Sequence, residues 1–125
     1  MILGIGCDIV NAERFRQTDQ YLEHLANRLF SDREKEAFRQ RHFACEEQKT
    51  MYVAKRFAAK EAVAKALGTG FRNGLHLSDI EIFNDAQGKP FVVLNSSVLT
   101  GEKYRIHLSL SDDTPYAEAV ALIED

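Results

Sequence analysis

Residues 46–67 read EEQKTMYVAKRFAAKEAVAKAL, with no Gly or Pro and an excess of Ala, Lys and Glu. That is the composition of one long helix, and Gly68 is its natural terminator. Phe57, Glu61 and Lys65 recur at a spacing of four, so they stand one above the other on a single face with Ala54 and Ala58 beside them. Glu61 is therefore not on an obviously solvated face. Its ordinary reading is a Glu-to-Lys pair at i and i+4, worth about 0.2–0.5 kcal/mol. The local charge argues for more: Lys49, Lys55, Arg56, Lys60 and Lys65 surround it, with Glu61 the only acid among the last four, in a chain of formal net charge −3. Such a basic field attracts a polyphosphate.

Upstream, Met1 to Val10 is almost wholly apolar and reads as a buried strand. Alternate strand residues share a face, so Gly4, Gly6 and Asp8 line up, and Leu3, Ile5, Cys7 and Ile9 are expected to pack the other side. Two glycines leave a bare strip beside a carboxylate, open to another backbone or to a ligand. Asp8 has a competing reading as a strand-end acid that caps the helix starting near Asn11. An acid that interrupts an apolar strand and another ringed by Lys and Arg are both costly to bury unpaired. A divalent cation holding a phosphate compensates both. Mg²⁺ usually takes only one or two carboxylates from protein and completes its octahedron with waters and phosphate oxygens.

The remaining elements follow from local signals. Asn11 caps a short helix leading into Arg14, and Tyr21, Leu25, Leu29 and Phe30 recur at roughly helical spacing. Ser31 with Glu34 is a capping box that opens another helix. After Gly70 and Gly74 the pattern turns to β: Ile80–Phe83 and Phe91–Leu94 flank a turn at Asn84–Gly88, and Ile106–Ser111 and Tyr116–Ile123 flank a turn at Asp112–Pro115. His107, Ser109 and Ser111 share a strand face, either a solvated polar face or part of a site. The expected fold is α+β, an antiparallel sheet wrapped against the long central helix with the first helices outside, in a single domain of residues 1–125.

Composition limits the function. With 125 residues, 45% hydrophobic content and two prolines, the chain can build one core. The acidic balance disfavours a general nucleic-acid binder. Cys7 and Cys45 show no CxxC or Cys/His spacing, and no signal peptide or long apolar span is present, so a cytoplasmic, non-membrane protein is expected. The turns lack GxxxxGK[ST], which disfavours a P-loop enzyme, and the scattered His and Cys disfavour zinc.

Four ordered segments, GIGCDIV at 4–10, RFAAKEAVAKALGTG at 56–70, IEIFNDAQGKP at 80–90 and HLSLSDDTPYAEAVALIE at 107–124, resemble the holo-acyl-carrier-protein synthases, the small bacterial 4′-phosphopantetheinyl transferases. The resemblance implies transfer of phosphopantetheine from coenzyme A to a serine of apo acyl carrier protein, in fatty acid biosynthesis, with release of adenosine 3′,5′-bisphosphate. It implies Asp8 and Glu61 as Mg²⁺ ligands, Arg56 and Lys65 near the coenzyme A phosphates, and the Gly88-Lys89-Pro90 turn near the adenine end. Lys65 would stabilise developing charge, and Glu61, directly or through a metal-bound water, would help take the serine proton. Arg14 and Arg28 match a basic surface that docks the acidic recognition helix of the carrier protein. Larger relatives hold two such halves in one chain, so a homotrimer with coenzyme A at each interface is implied.

Two departures stand out. Many members have His after the second Ser of the HxSxS strand, whereas this chain has Asp112, and a carboxylate cannot donate to phosphate. Asp112 is accordingly left outside the expected site. The stretch between Leu94 and Ile106 is also short for the helix that longer members place there. Two other classes of function remain at this level: a non-catalytic module docking an acidic helical partner, and a metal-dependent nucleotide hydrolase. A docking module needs neither Asp8 nor Glu61, and a hydrolase need not recognise a carrier protein.

Overall fold

The computed structural model describes residues 1–16, 18–71, 74–95 and 104–125. Strand β1 (Ile2–Asn11) leads through a 3₁₀ turn (Ala12–Phe15) to helices α1 (Asp19–Leu29), α2 (Asp32–Gln40) and α3 (Glu46–Leu67). Strands β2 (Ile80–Asn84), β3 (Pro90–Leu94), β4 (Arg105–Asp113) and β5 (Tyr116–Glu124) follow. All pairing is antiparallel: β1-β5-β4 form a three-stranded sheet and β2-β3 a separate hairpin. The expected α+β arrangement, with the sheet wrapped against α3, is the one observed.

Small residues set the distance between sheet and helix. Ala54, Ala58, Ala59 and Ala62 on α3, and Ala117, Ala119 and Ala121 on β5, are completely buried. At Gly4 a Cβ would lie 2.0 Å from the Ala66 carbonyl oxygen, and at Gly6 2.2 Å from that of Ala62. Only glycine permits that approach, so the bare strip read from the sequence is filled by the backbone of α3. Gly68 ends the helix at φ +83°, in the left-handed region that favours glycine.

The caps are those the sequence specifies. Asn11 accepts from the Glu13 amide at 3.0 Å, so Asn11 rather than Asp8 caps the first turn. Ser31 and Glu34 form a full capping box on α2. In α1 the buried residues are Leu22, Ala26 and Leu29, whereas Tyr21 faces outward.

Two expectations are corrected. Leu3, Ile5 and Ile9 do not pack within the chain but are 51, 66 and 64% exposed, with Cys7 exposed between them. The sheet has one helical layer, so only its inner face is covered, and Tyr116 and Val120 of β5 share the exposed apolar side. Lys60 is not part of a phosphate-attracting field: its side chain is 0% exposed and bonds Glu34 Oε1 at 2.7 Å, the Leu77 carbonyl at 3.0 Å and the Ile80 carbonyl. It ties α3 to α2 and β2. The stretch between Leu94 and Ile106 lies mostly outside the described residues.

Candidate active site

Asp8 sits on the inner face of β1, two residues beyond Gly6, where the strand runs alongside the last turns of α3. Lys65 donates from Nζ to Asp8 Oδ1 at 3.0 Å and to the Cys7 carbonyl at 2.9 Å. It turns to Asp8 rather than making the simple helical pair with Glu61, and the bond to Asp8 raises its proton affinity. Burial raises the Glu61 carboxyl above the usual range, and the charge of Asp8 raises it further, while Lys65 and Arg14 act in the opposite sense. A strand acid and a helix acid thus share one electrostatic environment. The two-periodicity of β1 and the four-residue spacing on α3 both lead to this point.

The donor set fits a hard divalent cation. Asp8 lies close enough to act on the Glu61 carboxyl, a lysine ammonium is paired with Asp8, and no cluster of three or more His, Cys, Asp or Glu occurs among the described residues. That is too few ligands for a closed structural zinc site and matches the one or two carboxylates that Mg²⁺ takes from protein.

Arg56 lies elsewhere on α3. The residue is 5% exposed, and its guanidinium stacks on Tyr52 with Cζ 4.7 Å from the ring centre and donates from Nη2 to Asn84 Oδ1. Asn84 in turn donates to the Gly88 carbonyl at 2.8 Å, so Arg56 is coupled to the Gly88-Lys89-Pro90 turn through one side chain. Asp85 closes that turn, accepting from the Gln87 and Lys89 amides at 2.9 Å, and Gly88 adopts φ +86°. Arg56 Nη1 is buried without a hydrogen-bond partner, and Arg56 is among the residues lining a cavity of about 640 Å³, with Lys55, Asn84 and Asp112.

The family model of the 4′-phosphopantetheinyl transferase superfamily matches residues 4–122. The chain belongs to that superfamily. It is 44% identical over 124 residues to the holo-[acyl-carrier-protein] synthase of Wolbachia pipientis subsp. Culex pipiens (strain wPip), covering 98% of each chain. It is likewise 44% identical over 124 residues to that of Geobacillus sp. (strain WCH70), covering 99% of this chain and 98% of the relative. The fold superposes on the holo-[acyl-carrier-protein] synthase of Neisseria meningitidis with a TM-score of 0.85 at 36% identity, over 100% of both chains. It superposes on that of Bacillus anthracis str. Ames, solved in complex with CoA (3′,5′-ADP), with a TM-score of 0.82 at 33% identity, covering 100% of this chain and 98% of that one. The chain is therefore a transferase of the holo-acyl-carrier-protein synthase family.

Within this 4′-phosphopantetheinyl transferase fold the sequence-derived residues fall into separate groups. Asp8, Glu61 and Lys65 come together, and Arg14, expected on a docking surface, lies close enough to act on Glu61, its guanidinium 5.8 Å from the Phe15 ring centre. Arg28 is exposed in the last turn of α1. His107, Ser109 and Ser111 all face solvent, with His107 Nε2 2.8 Å from Glu124 Oε1. Sequence reasoning missed Asn84 and Tyr52, counted Lys55 only within the general basic field of α3, and set aside Asp112, which pairs with Lys55 at 2.8 Å on the cavity lining. The signal for Asn84 was present in the turn motif. Nothing in spacing alone could join Lys55 to Asp112.

Proposed function

We propose that this chain moves the 4′-phosphopantetheine arm of coenzyme A to a serine of an apo acyl carrier protein, using Mg²⁺ held by Asp8 and Glu61. The convergence of these two carboxylates under the Lys65 ammonium carries the reading. The serine oxygen forms a bond to the pantetheine-side phosphorus. The bond from that phosphorus to the bridging oxygen breaks, the serine proton is lost, and adenosine 3′,5′-bisphosphate leaves. The bound cation would supply neutralisation of pyrophosphate charge. Lys65, half exposed and paired with Asp8, follows the charge that develops on the phosphate oxygens. Glu61 is the chain's own acceptor for the serine proton, and the Gly88-Lys89-Pro90 turn, braced to Arg56 by Asn84, receives the nucleotide end.

The same reading includes a homotrimer. The outer sheet face, with Leu3, Ile5, Ile9, Tyr116 and Val120 exposed, is apolar and uncovered in one chain. Arg56 and Glu61, five positions apart on α3, point about 140° apart around its axis. One coenzyme A therefore extends from the carboxylates of one protomer to the Arg56 cavity of its neighbour. Arg14 and Arg28 belong to the surface that meets the acidic carrier protein. The substrates, a role in fatty acid biosynthesis and two unpaired thiols, Cys7 and Cys45, suit a reducing cytoplasm.

Product analysis tests the proposal. Incubation with coenzyme A and Mg²⁺ should release adenosine 3′,5′-bisphosphate only when apo carrier protein is present, with the carrier gaining the phosphopantetheine mass. Release without carrier would make the chain a nucleotide hydrolase, and carrier binding without any release would make it a docking module.

A further inference from the structure

We propose that Glu34, on α2, is a positioning residue for the transfer reaction: with Lys60 it stands in for a missing strand along the free edge of β2 and thereby fixes the Gly88-Lys89-Pro90 turn against α3. The role of that turn rests on the reading of the chain as a coenzyme A-dependent transferase. The coupling from Glu34 to the turn rests on the fold alone.

Among the described residues β2 pairs only with β3. The Asn95 amide bonds the Asp79 carbonyl at 2.8 Å and the Asp85 amide bonds the Lys89 carbonyl at 2.9 Å, in the same register as the strands between them. Antiparallel alternation then turns the main-chain groups of Glu81 and Phe83 towards β3 and those of Ile80 and Ile82 away from it. Both isoleucines are buried, where an unpartnered carbonyl or amide is costly. Two side chains meet these groups: Lys60 donates to the Ile80 carbonyl, and Glu34 Oε2 accepts from the Ile82 amide at 3.1 Å. A donor and an acceptor thus face the strand together, as a neighbouring strand would present them.

Counting donors and acceptors explains the residue types. The Lys60 ammonium has three protons, and all are taken, by Glu34 Oε1, the Leu77 carbonyl and the Ile80 carbonyl. Glu34 accepts on both oxygens at once, from Lys60 on one and from Ile82 on the other. A glutamine has a single acceptor oxygen, so either way round it loses one of the two bonds. With Glu34 3% and Lys60 0% exposed, neither meets substrate, and both act through β2.

The effect reaches the site at the far end of the strand. Arg56 and Lys60 stand about one turn apart on α3, and Ile80 and Asn84 share a face of β2. Lys60 holds the start of the strand, and Arg56 meets its end at Asn84, which donates to the Gly88 carbonyl at 2.8 Å. Two attachments fix both the slide and the tilt of β2 against the helix, whereas one leaves it free to pivot. With the Glu34–Lys60 anchor loosened, Asn84 and the turn shift relative to α3, although every residue of the site is still present.

The test measures kcat and the KM values for coenzyme A and for carrier protein in Glu34→Gln, Lys60→Met and the double variant Glu34→Leu/Lys60→Met. Ile123→Ala, a core deletion on β5 in the other sheet, is the control. Thermal denaturation of each sets an assay temperature at which all are folded. Glu34→Gln should raise KM for coenzyme A about fivefold, the size of one lost hydrogen bond. Its kcat and its KM for carrier should stay within about twofold of wild type, since Asp8, Glu61, Lys65 and the docking arginines do not hang on β2. The double variant buries no charge and should melt above Lys60→Met, yet its KM for coenzyme A should remain raised about tenfold, because the strand edge is still unheld. Ile123→Ala should melt lower at unchanged KM. A double variant whose KM returns with its stability, a control that shifts KM as Glu34→Gln does, or equal effects on both substrates would overturn the proposal. Should the Lys60 variants fail to fold, Glu34→Gln against the control decides it. Nuclear magnetic resonance supplies a readout without turnover: the Asn84 side-chain amide signals should move in Glu34→Gln and hold in Ile123→Ala. If wild type transfers nothing to any carrier, the transferase reading falls, and these signals still decide the coupling; unmoved signals in Glu34→Gln refute it.

Discussion

Gly6→Ala tests how tightly β1 must lie against α3 for the carboxylates to meet. The added methyl would sit 2.2 Å from the Ala62 carbonyl oxygen, 2.7 Å from the Ala66 nitrogen and 2.9 Å from Lys65 Cβ. The two nearest atoms are helix backbone, so no side-chain rotation relieves the clash. Reaching 3.0 Å, below which real Cβ contacts essentially never fall, requires β1 and α3 to part by about 0.8 Å. Overpacking of this kind costs about 1–3 kcal/mol, and the alanine regains about 0.4–1 kcal/mol through the unfolded state. A net loss of about 1.3 kcal/mol is expected, or roughly 5 °C in Tm for a chain of this size. The same displacement separates Asp8 from Glu61 by more than the roughly 0.5 Å that a metal-site geometry tolerates. Mg²⁺-dependent coenzyme A binding should therefore weaken by more than the stability loss alone accounts for. Thermal denaturation and isothermal titration on one preparation measure both quantities. Gly70→Ala is the control, since nothing lies within 4 Å of its Cβ and only its φ of +59° is strained. It should lower Tm modestly and leave Mg²⁺ binding alone. If Gly6→Ala melts within a degree or two of wild type and binds metal normally, the contact does not set the site.

Asp8→Ala and Arg56→Ala should each be inactive as pure proteins, yet a mixture should recover part of the activity, because the proposed assembly can join an intact carboxylate site to an intact Arg56 cavity from another chain; absence of recovery in mixtures shown by light scattering to be trimers would refute a shared site. Lys60→Met should destabilise the fold by about 3–5 kcal/mol in chemical denaturation, since it leaves the buried Glu34 carboxylate without its cation. Burial already raises the Glu34 pKa above 4.5, and a carboxyl raised on folding takes up a proton as the chain folds, so the deficit should be largest near neutral pH and narrow as pH falls towards 4.5. A deficit that grows on acidification would show that the pair is not the cause. Arg28→Glu should raise KM for carrier protein most at low salt, with coenzyme A and Mg²⁺ affinity unchanged. It is a cleaner probe than Arg14→Glu, whose charge also reaches Glu61, and an unchanged KM at low salt would place the carrier elsewhere.

The elements that could be read from sequence are those fixed by local chemistry. Helix α3 runs from Glu46 to Leu67 because nothing in that stretch breaks it and Gly68 does. The capping box at Ser31 and Glu34 is a local exchange of two hydrogen bonds. Asp8 and Glu61 stood out because strand and helix periods each put an acid on a restricted face, and the fold brings the charge of Asp8 to bear on Glu61. What was not legible depends on which layer covers which face. The alternation in β1 separates Leu3, Ile5 and Ile9 from Gly4, Gly6 and Asp8, but it does not say which set meets a helix of the same chain. Lys60 and Lys65 look alike in the sequence, and only tertiary packing assigns one to the core and the other to Asp8.

The charges along α3 divide by how much water they keep, and that division separates structure from chemistry. Lys60 reaches α2 and β2, with both ends of its ion pair buried. Breaking that pair leaves a charge with no solvent, so it is fixed. Lys65, with its side chain 53% exposed, reaches Asp8 on β1, and Lys55, 32% exposed, reaches Asp112 on β4. Pairs of that exposure are worth about 0–1 kcal/mol. A phosphate arriving beside either lysine can therefore draw the ammonium from its carboxylate at little cost. Such readiness requires that the stability of α3 come from elsewhere, and it does: the helix is held by Ala54, Ala58, Ala59 and Ala62 against the sheet, all completely buried. Because alanine packing fixes the backbone without using any charged group, in the proposed site Lys55 and Lys65 can exchange a carboxylate for a substrate phosphate while Glu61 and Arg56 keep their places on the same helix.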